Sequence, residues 1–221
     1  SYNLLTLQSD ASRKFGYKPD QVKAITQELR EKYQLITYNR SDCEYLNEEM
    51  HDDAPAVLSA ISQNSNLFKN VVLNANPSIK SRAFNSHKVS AHHAIIPTQS
   101  TYDVNMLKEE LKNVYFLIAR AYIAQFYPKY EYEETTIITE CSGHQFKTIS
   151  NVPKTWGWKT LYKNDVGNDE IADNPEAQNL DLRSLQNNNQ GVCVEGICEQ
   201  KETKPAPLYT IATLLKDLTR A

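Results

Sequence analysis

A mixed α+β fold is predicted by three features of the chain. Apolar residues recur at helical spacing as far as Phe126, they alternate with polar ones from Tyr132 to Val152, and charge is divided unevenly along the sequence. The 221 residues suffice for one large or two small domains with real cores. A net charge of −3 gives no global basic character. From Ala54 to Tyr102, however, there is no Asp or Glu, while Lys69, Lys80, Arg82 and Lys88 bring four positive charges, with His87, His92 and His93 beside them. No signal segment and no apolar run of membrane-spanning length is present, so a cytoplasmic location and no membrane partner are expected. The chain opens on Ser1 and directly on an apolar pattern, which reads as a piece of something longer.

The helices follow in order. Leu4, Leu7, Ala11 and Phe15 mark a first helix, and Gly16 stands where a left-handed cap belongs. Pro19 opens a second, with Val22, Ile25, Leu29 and Tyr33 as its buried stripe and its end near Lys32. Leu35 to Asp42 reads as a short strand. Asp53 and Pro55 introduce a third helix through Val57, Leu58 and Ile61. Two helices, a strand and a further helix resemble a helix-turn-helix or winged-helix arrangement. Residues 64 to 101 are rich in Asn, Ser and Lys. From Asn105 to Phe126 runs the longest amphipathic pattern, with Phe116 and Ile123 off the main stripe as a second apolar edge, and Pro128 ends it.

Composition then shifts. Tyr132 to Cys141 and Gln145 to Val152 predict two strands about a turn at Gly143-His144, and Trp156-Gly157-Trp158 with Leu161-Tyr162 suggests a third. Asn164 to Asp181 holds six acids and no base, a solvated loop. Val192, Val194 and Ile197 suggest a further strand or hairpin. The four cysteines include only one close pair, Cys193 and Cys198, without ligand partners at zinc spacing, so reduced thiols are expected. Ile211, Leu214, Leu215 and Leu218 mark a last helix.

The strongest chemical candidate is Tyr38 with Arg40. On an extended segment, residues two apart share a face, which would set the phenol beside a guanidinium. A tyrosine of ordinary pKa, about 10, is only about one part in a thousand ionised at neutral pH, so a nucleophilic tyrosine needs a nearby cation. Arg40 supplies one and can hold a phosphodiester oxygen with its planar fork. The competing reading is a plain cross-strand pair, which is the commoner use of such residues. His92-His93 invites a metal reading, but adjacent residues of an extended segment face opposite ways and could not easily share an ion.

Resemblance shifts this balance. Leu35-Ile36-Thr37-Tyr38 followed by Arg40-Ser41-Asp42 resembles the active-site signature of the type IA DNA topoisomerases, and Cys43-Glu44-Tyr45-Leu46 resembles the topoisomerase III branch. Thr6-Leu7-Gln8 with Ala11-Ser12 is similar to the helix preceding that signature, and Ala91-His92 with Ala94-Ile95-Ile96-Pro97-Thr98 to a second family motif. Trp156-Gly157-Trp158 and Leu161-Tyr162 resemble a segment of the β-rich arch domain, and Thr203 to Tyr209 the entry to the next domain.

The resemblance implies a winged-helix-like domain over 1–128 carrying the nucleophile, part of the β-rich arch over 129–203, and the start of a further helical domain over 204–221. It implies that Tyr38 forms a 5′-phosphotyrosyl link to single-stranded DNA, that Arg40 stabilises the reacting charges, and that His92, Gln8 and Ser12 contact DNA; the acid-free basic stretch adds Lys80, Arg82 and Lys88 as expected DNA contacts. Mg²⁺ is expected in the full-length enzyme through a Toprim domain with no counterpart in this sequence, which has no D-x-D pattern; no metal is expected in this fragment, which alone should be an inactive monomer. Two other readings stay open: a non-catalytic winged-helix module binding single-stranded DNA, and a metal hydrolase using His92 and His93.

The acid-free basic stretch makes a first prediction. Binding of a fluorescent single-stranded oligonucleotide, followed by anisotropy, should weaken with salt at a log–log slope of about −2, since each of three phosphate contacts contributes about −0.7. Salt-independent binding, or none at low salt, would contradict it.

Overall fold

A computed structural model describes residues 1–163, 177–178, 182–200, 202–203 and 205–218. They form two compact units, one of residues 1–128 with 209–221 and one of residues 129–208.

The first unit is helical. Its elements are α1 (Leu4–Phe15), α2 (Pro19–Glu31), α3 (Ala54–Asn64), α4 (Asn66–Leu73), α5 (Glu109–Ile123) and α6 (Ile211–Leu218). Asn3 and Thr6 form a reciprocal capping box at the start of α1, and Gly16 closes it at φ 71°, a conformation that suits a residue without Cβ. Pro19 stands in the first turn of α2, where its missing N–H costs nothing. Of the second apolar edge of the long helix, Ile123 is buried and Phe116 half-buried in α5, which also buries Leu111, Val114, Tyr115, Leu117, Ile118, Ala119 and Tyr122. That helix ends in a 3₁₀ turn, Ala124–Phe126, and Phe126 packs with Tyr122, Phe84 and His51. Leu7, Leu29, Leu35, Ile36, Leu46, Ile61 and Ile95 complete the core. α6 rests on α1 through buried Leu215, and Ser9 donates to the Ala212 carbonyl at 3.2 Å.

Several expectations are corrected. Leu35 to Asp42 is not a strand: it is an extended loop with a single bridge, Ile36 to Pro97, and a turn at Asn39–Arg40. Its backbone pairing with residues 96–98 stops after Thr37, where side chains take over: Thr37 Oγ1 accepts from the Ile96 amide (3.1 Å) and Asn39 turns inward to Thr26. Residues 64–101 contain an unpredicted helix, α4; Ser65 caps it, and although Leu67, Phe68, Val71, Val72 and Leu73 are apolar, only Phe68 of its eight residues is buried.

The second unit is built on an antiparallel hairpin of β1 (Glu131–Cys141) and β2 (His144–Thr155), with β3 (Ala177–Gln178) parallel to β2. Its turn is Ser142-Gly143, both at positive φ, one residue before the expected position. The third strand expected at Trp156 to Tyr162 is instead a 3₁₀ segment, Gly157–Tyr162, which folds Lys159 back so that its Nζ lies 3.7 Å from the Tyr130 ring centroid. Val192, Val194 and Ile197 lie in irregular chain, exposed, so the strand or hairpin expected there is absent among the described residues. The acidic run 164–181 falls almost wholly outside the described residues.

Two core phenols set a pH limit on the helical unit. Burial pushes Tyr115 up to about 12, offset in part by the hydrogen bond from Asn64, and burial followed by the Asp53 charge pushes Tyr122 strongly upward. Each keeps its proton when folded and loses it near pH 10 when unfolded, so stability is complete below about pH 10 and is lost as pH rises towards the folded values. Thermal unfolding should therefore be level from pH 7 to 9 and fall above 10. The Tyr122 hydroxyl has no partner among the described residues. Tyr122→Phe should thus leave stability at pH 7 unchanged and flatten the alkaline fall by up to about 1.4 kcal/mol per pH unit; an unchanged alkaline slope would refute the assignment.

Candidate active site

The site is a loop clamped between a helix and a strap. α2 ends at Glu31, and the chain turns through Gln34 at φ 56°, a conformation uncommon for a residue with a Cβ. Two hydrogen bonds hold that corner: the Leu35 amide to the Leu29 carbonyl at 2.9 Å, and the Thr98 hydroxyl to the Gln34 carbonyl at 2.6 Å. The strap, residues 94–98, then runs beside the loop. Thr37 N–H donates to Ile96 O, Thr98 N–H to Leu35 O and Ala94 N–H to Tyr45 O, all at 2.8 to 3.0 Å.

Three successive loop residues meet one edge of α2. The Arg30 guanidinium carbon lies 4.8 Å from the Tyr38 ring centroid, Asn39 Nδ2 donates to Thr26 Oγ1 at 3.2 Å, and Arg40 donates to Gln27 Oε1 at 3.5 Å. Thr26, Gln27 and Arg30 can do this because residues three and four apart share a helix face. Asn39 and Thr26 are fully buried, whereas Tyr38 is half-buried and Arg40 exposed. From the strap side, the exposed His92 ring lies over Tyr38 with centroids 4.1 Å apart and planes tilted by 35°. Ser41 donates to the His92 carbonyl at 3.4 Å, which ties that histidine's backbone to the loop as well. Tyr38, Arg40 and His92 are thus brought together, though by α2 and the strap and not by strand alternation.

The remaining candidates are spread out. Gln8 is buried, and its amide donates to the Pro19 carbonyl at 3.0 Å, fastening α1 to the start of α2. That corrects the expectation of a DNA-facing glutamine, because its place beside Leu7 on α1 turns it into the fold. Ser12 is half-buried on α1. Lys80 pairs with Glu48 at 3.4 Å, Arg82 is exposed, and Lys88 lies over the Tyr45 ring and donates to its hydroxyl at 3.2 Å. His93 Nδ1 sits 2.8 Å from its neighbour's carbonyl, at Ala94. Among the described residues no three His, Cys, Asp or Glu side chains converge on a metal position. An open groove of about 510 Å³ adjoins the loop, lined by Thr37, Met50, Val57 and the run from Pro97 to Ser100.

Sequence reasoning missed Arg30, Gln27, Thr26 and Asn39. The signal available was the polar edge Thr26-Gln27-Arg30 beside the buried Val22-Ile25-Leu29 stripe, but periodicity does not say what such an edge faces.

Tyr38 thus lies between His92 on one side and Arg30 and Arg40 on the other. The model of the DNA topoisomerase family matches residues 1–221. The chain belongs to the type IA DNA topoisomerase family. It is 38% identical over 218 residues to DNA topoisomerase 3 of Vibrio cholerae and 38% identical over 222 residues to that of Haemophilus influenzae, each alignment covering 99% of this chain. DNA topoisomerase 3 of Bacillus subtilis is 31% identical over 222 residues. The chain spans about a third of the length of these curated relatives. Full-length topoisomerase I of Thermotoga maritima shares its fold, with a TM-score of 0.60 at 21% identity over 99% of this chain and 34% of that one.

The buried Asn39 makes this topoisomerase loop testable. Asn39→Ala removes the buried hydrogen bond from the loop to α2 while the Thr26 hydroxyl keeps its bond to the Lys23 carbonyl, so urea unfolding should show a loss of about 0.5–1.5 kcal/mol. Arg40→Ala, at an exposed position with a long contact, should cost less than about 0.5 kcal/mol. Equal losses would mean that Asn39 does not anchor the loop.

Proposed function

We propose that this chain is the nucleophile-bearing part of a topoisomerase III-like enzyme, in which Tyr38 cleaves one DNA strand and holds its 5′ end covalently until the break is resealed. The observation that carries this reading is the setting of Tyr38, a half-exposed phenol on a loop fixed from both sides, with His92 against its ring and Arg40 nearby. In this reading residues 1–128 are the winged-helix-like domain, the hairpin unit is part of the arch, and α6 begins the next domain.

The chemistry is a transesterification. Tyr38 Oη attacks the phosphorus of a single-strand phosphodiester; the Oη–P bond forms, the P–O3′ bond breaks, the phenol proton is lost and the leaving 3′ oxygen takes up a proton. One phosphodiester replaces another, so attack by the 3′-hydroxyl on the phosphotyrosine reverses the step without an external energy source. Arg40 suits the phosphate: its 3.5 Å contact with Gln27 is long enough to be exchanged for a charge-assisted bond to a non-bridging oxygen. His92 presents its exposed ring edge as a further donor. Lys80, Arg82 and Lys88 would contact the backbone of the strand, and Ser12 the strand at α1. The family uses Mg²⁺ through its Toprim domain, but the residues described here offer no group of ligands for it, and no step is routed through the metal.

The test is a denaturing gel of labelled oligonucleotide with the full-length gene product. Tyr38→Phe should abolish the covalent adduct while folding and DNA affinity persist, and Arg40→Ala should slow cleavage by about 10²- to 10³-fold without abolishing it. This chain alone should form no adduct. An adduct surviving in Tyr38→Phe would move the nucleophile elsewhere and favour the non-catalytic DNA-binding reading for this loop.

A further inference from the structure

We infer that Arg30 is a positioning residue for the reaction proposed for Tyr38, bracing the nucleophile's ring and keeping a positive charge beside it as the phenol becomes negative. The inference rests on Tyr38 being the nucleophile. Sequence spacing points to Arg40 as the cation of this site, but the structure puts a different arginine on the ring. The Arg30 guanidinium carbon lies 4.8 Å from the Tyr38 centroid, inside the reach of about 6 Å for a cation over an aromatic face. Arg40 is turned towards Gln27 and exposed.

Arg30 is also the better anchored of the two. It is half-buried in the last turn of α2, next to fully buried Leu29, whose carbonyl receives the Leu35 amide at the root of the loop. The guanidinium and the loop therefore share one rigid support. No carboxylate among the described residues is paired with it, so its charge is not neutralised locally. With His92 4.1 Å away, the ring has two planar neighbours fixing its tilt. Attraction between cation and ring grows as negative charge develops on the phenol, so the contact favours the transition state over the ground state. Two arginines then divide the work: Arg30 on the nucleophile and Arg40 on the phosphate.

Single-turnover cleavage of a labelled oligonucleotide by the full-length gene product tests this. Arg30→Met keeps a long side chain and helix propensity but removes the charge. It should slow adduct formation at saturating DNA by about 10- to 30-fold, the rate equivalent of a partly desolvated cation–π contact. The half-saturating DNA concentration should stay within about 2-fold. Arg30→Lys, with a cation but no planar fork, should recover part of the rate lost in Arg30→Met, the charge without the stacking. Should Arg30→Met fail to fold, Arg30→Gln replaces it with the same expectation. Cleavage at the parental rate, a loss confined to DNA affinity, or no recovery with lysine would each overturn the inference. Tyr38→Phe run alongside separates the two levels: an adduct there refutes the underlying reading, whereas its loss with an unimpaired Arg30→Met overturns the role of Arg30 alone.

Discussion

The arrangement around Tyr38 depends on one buried polar contact, the hydrogen bond from Asn39 to Thr26. A carboxamide taken out of water must find a partner inside the protein, and Thr26 on α2 is the one it has. Satisfying it fixes the backbone on both sides: Tyr38 is directed past the end of α2, and Arg40 onto Gln27, one turn before Arg30. Leu35 and Ile36 reinforce this from the core, and the strap supplies backbone partners for Thr37. In the reaction proposed for Tyr38, a flexible loop carrying the same tyrosine would have to be ordered anew in each cycle.

The helices were legible because their signals are local and redundant. Gly16 and Pro19 mark ends by their own backbone preferences, and stripes such as Val22-Ile25-Leu29 bury as expected. The hairpin was legible for the same reason, through alternation either side of Ser142-Gly143. What was not legible depended on distant partners. Leu35 to Asp42 has strand-like composition, yet its bonding partners are the Thr26 side chain and the strap, neither of which periodicity reveals. Gly157–Tyr162 has aromatic residues suited to a strand, yet it folds as a 3₁₀ segment with Lys159 over the Tyr130 ring, a partner far enough away in the chain to escape any periodicity.

The site shows the same division. Tyr38, Arg40 and His92 could be named because they lie in dense motifs, and the structure brings them to one place. Gln8 lies in a motif too, and is used inside the fold instead. Arg30 lies in none of the stretches read as motifs, and only the packing of α2 against the loop brings it into view. At 21% identity to the Thermotoga maritima enzyme the backbone plan persists, so side chains on supporting helices are where members sharing that plan can differ.

The chain has 13 tyrosines, and the reaction proposed for Tyr38 has to leave the others untouched. Tyr115 and Tyr122 are silenced by burial, which holds their phenols protonated far into the alkaline range. Tyr45 is half-buried under Lys88, which occupies its hydroxyl. At Tyr115 and Tyr122 access decides: a phosphodiester is far too large to enter the core, so a phenol there is beyond its reach whatever its intrinsic nucleophilicity, a protection that the exposed Tyr102, Tyr132 and Tyr209 do not have. The hydrophobic interior of the helical unit acts as a protecting group for its own aromatic hydroxyls.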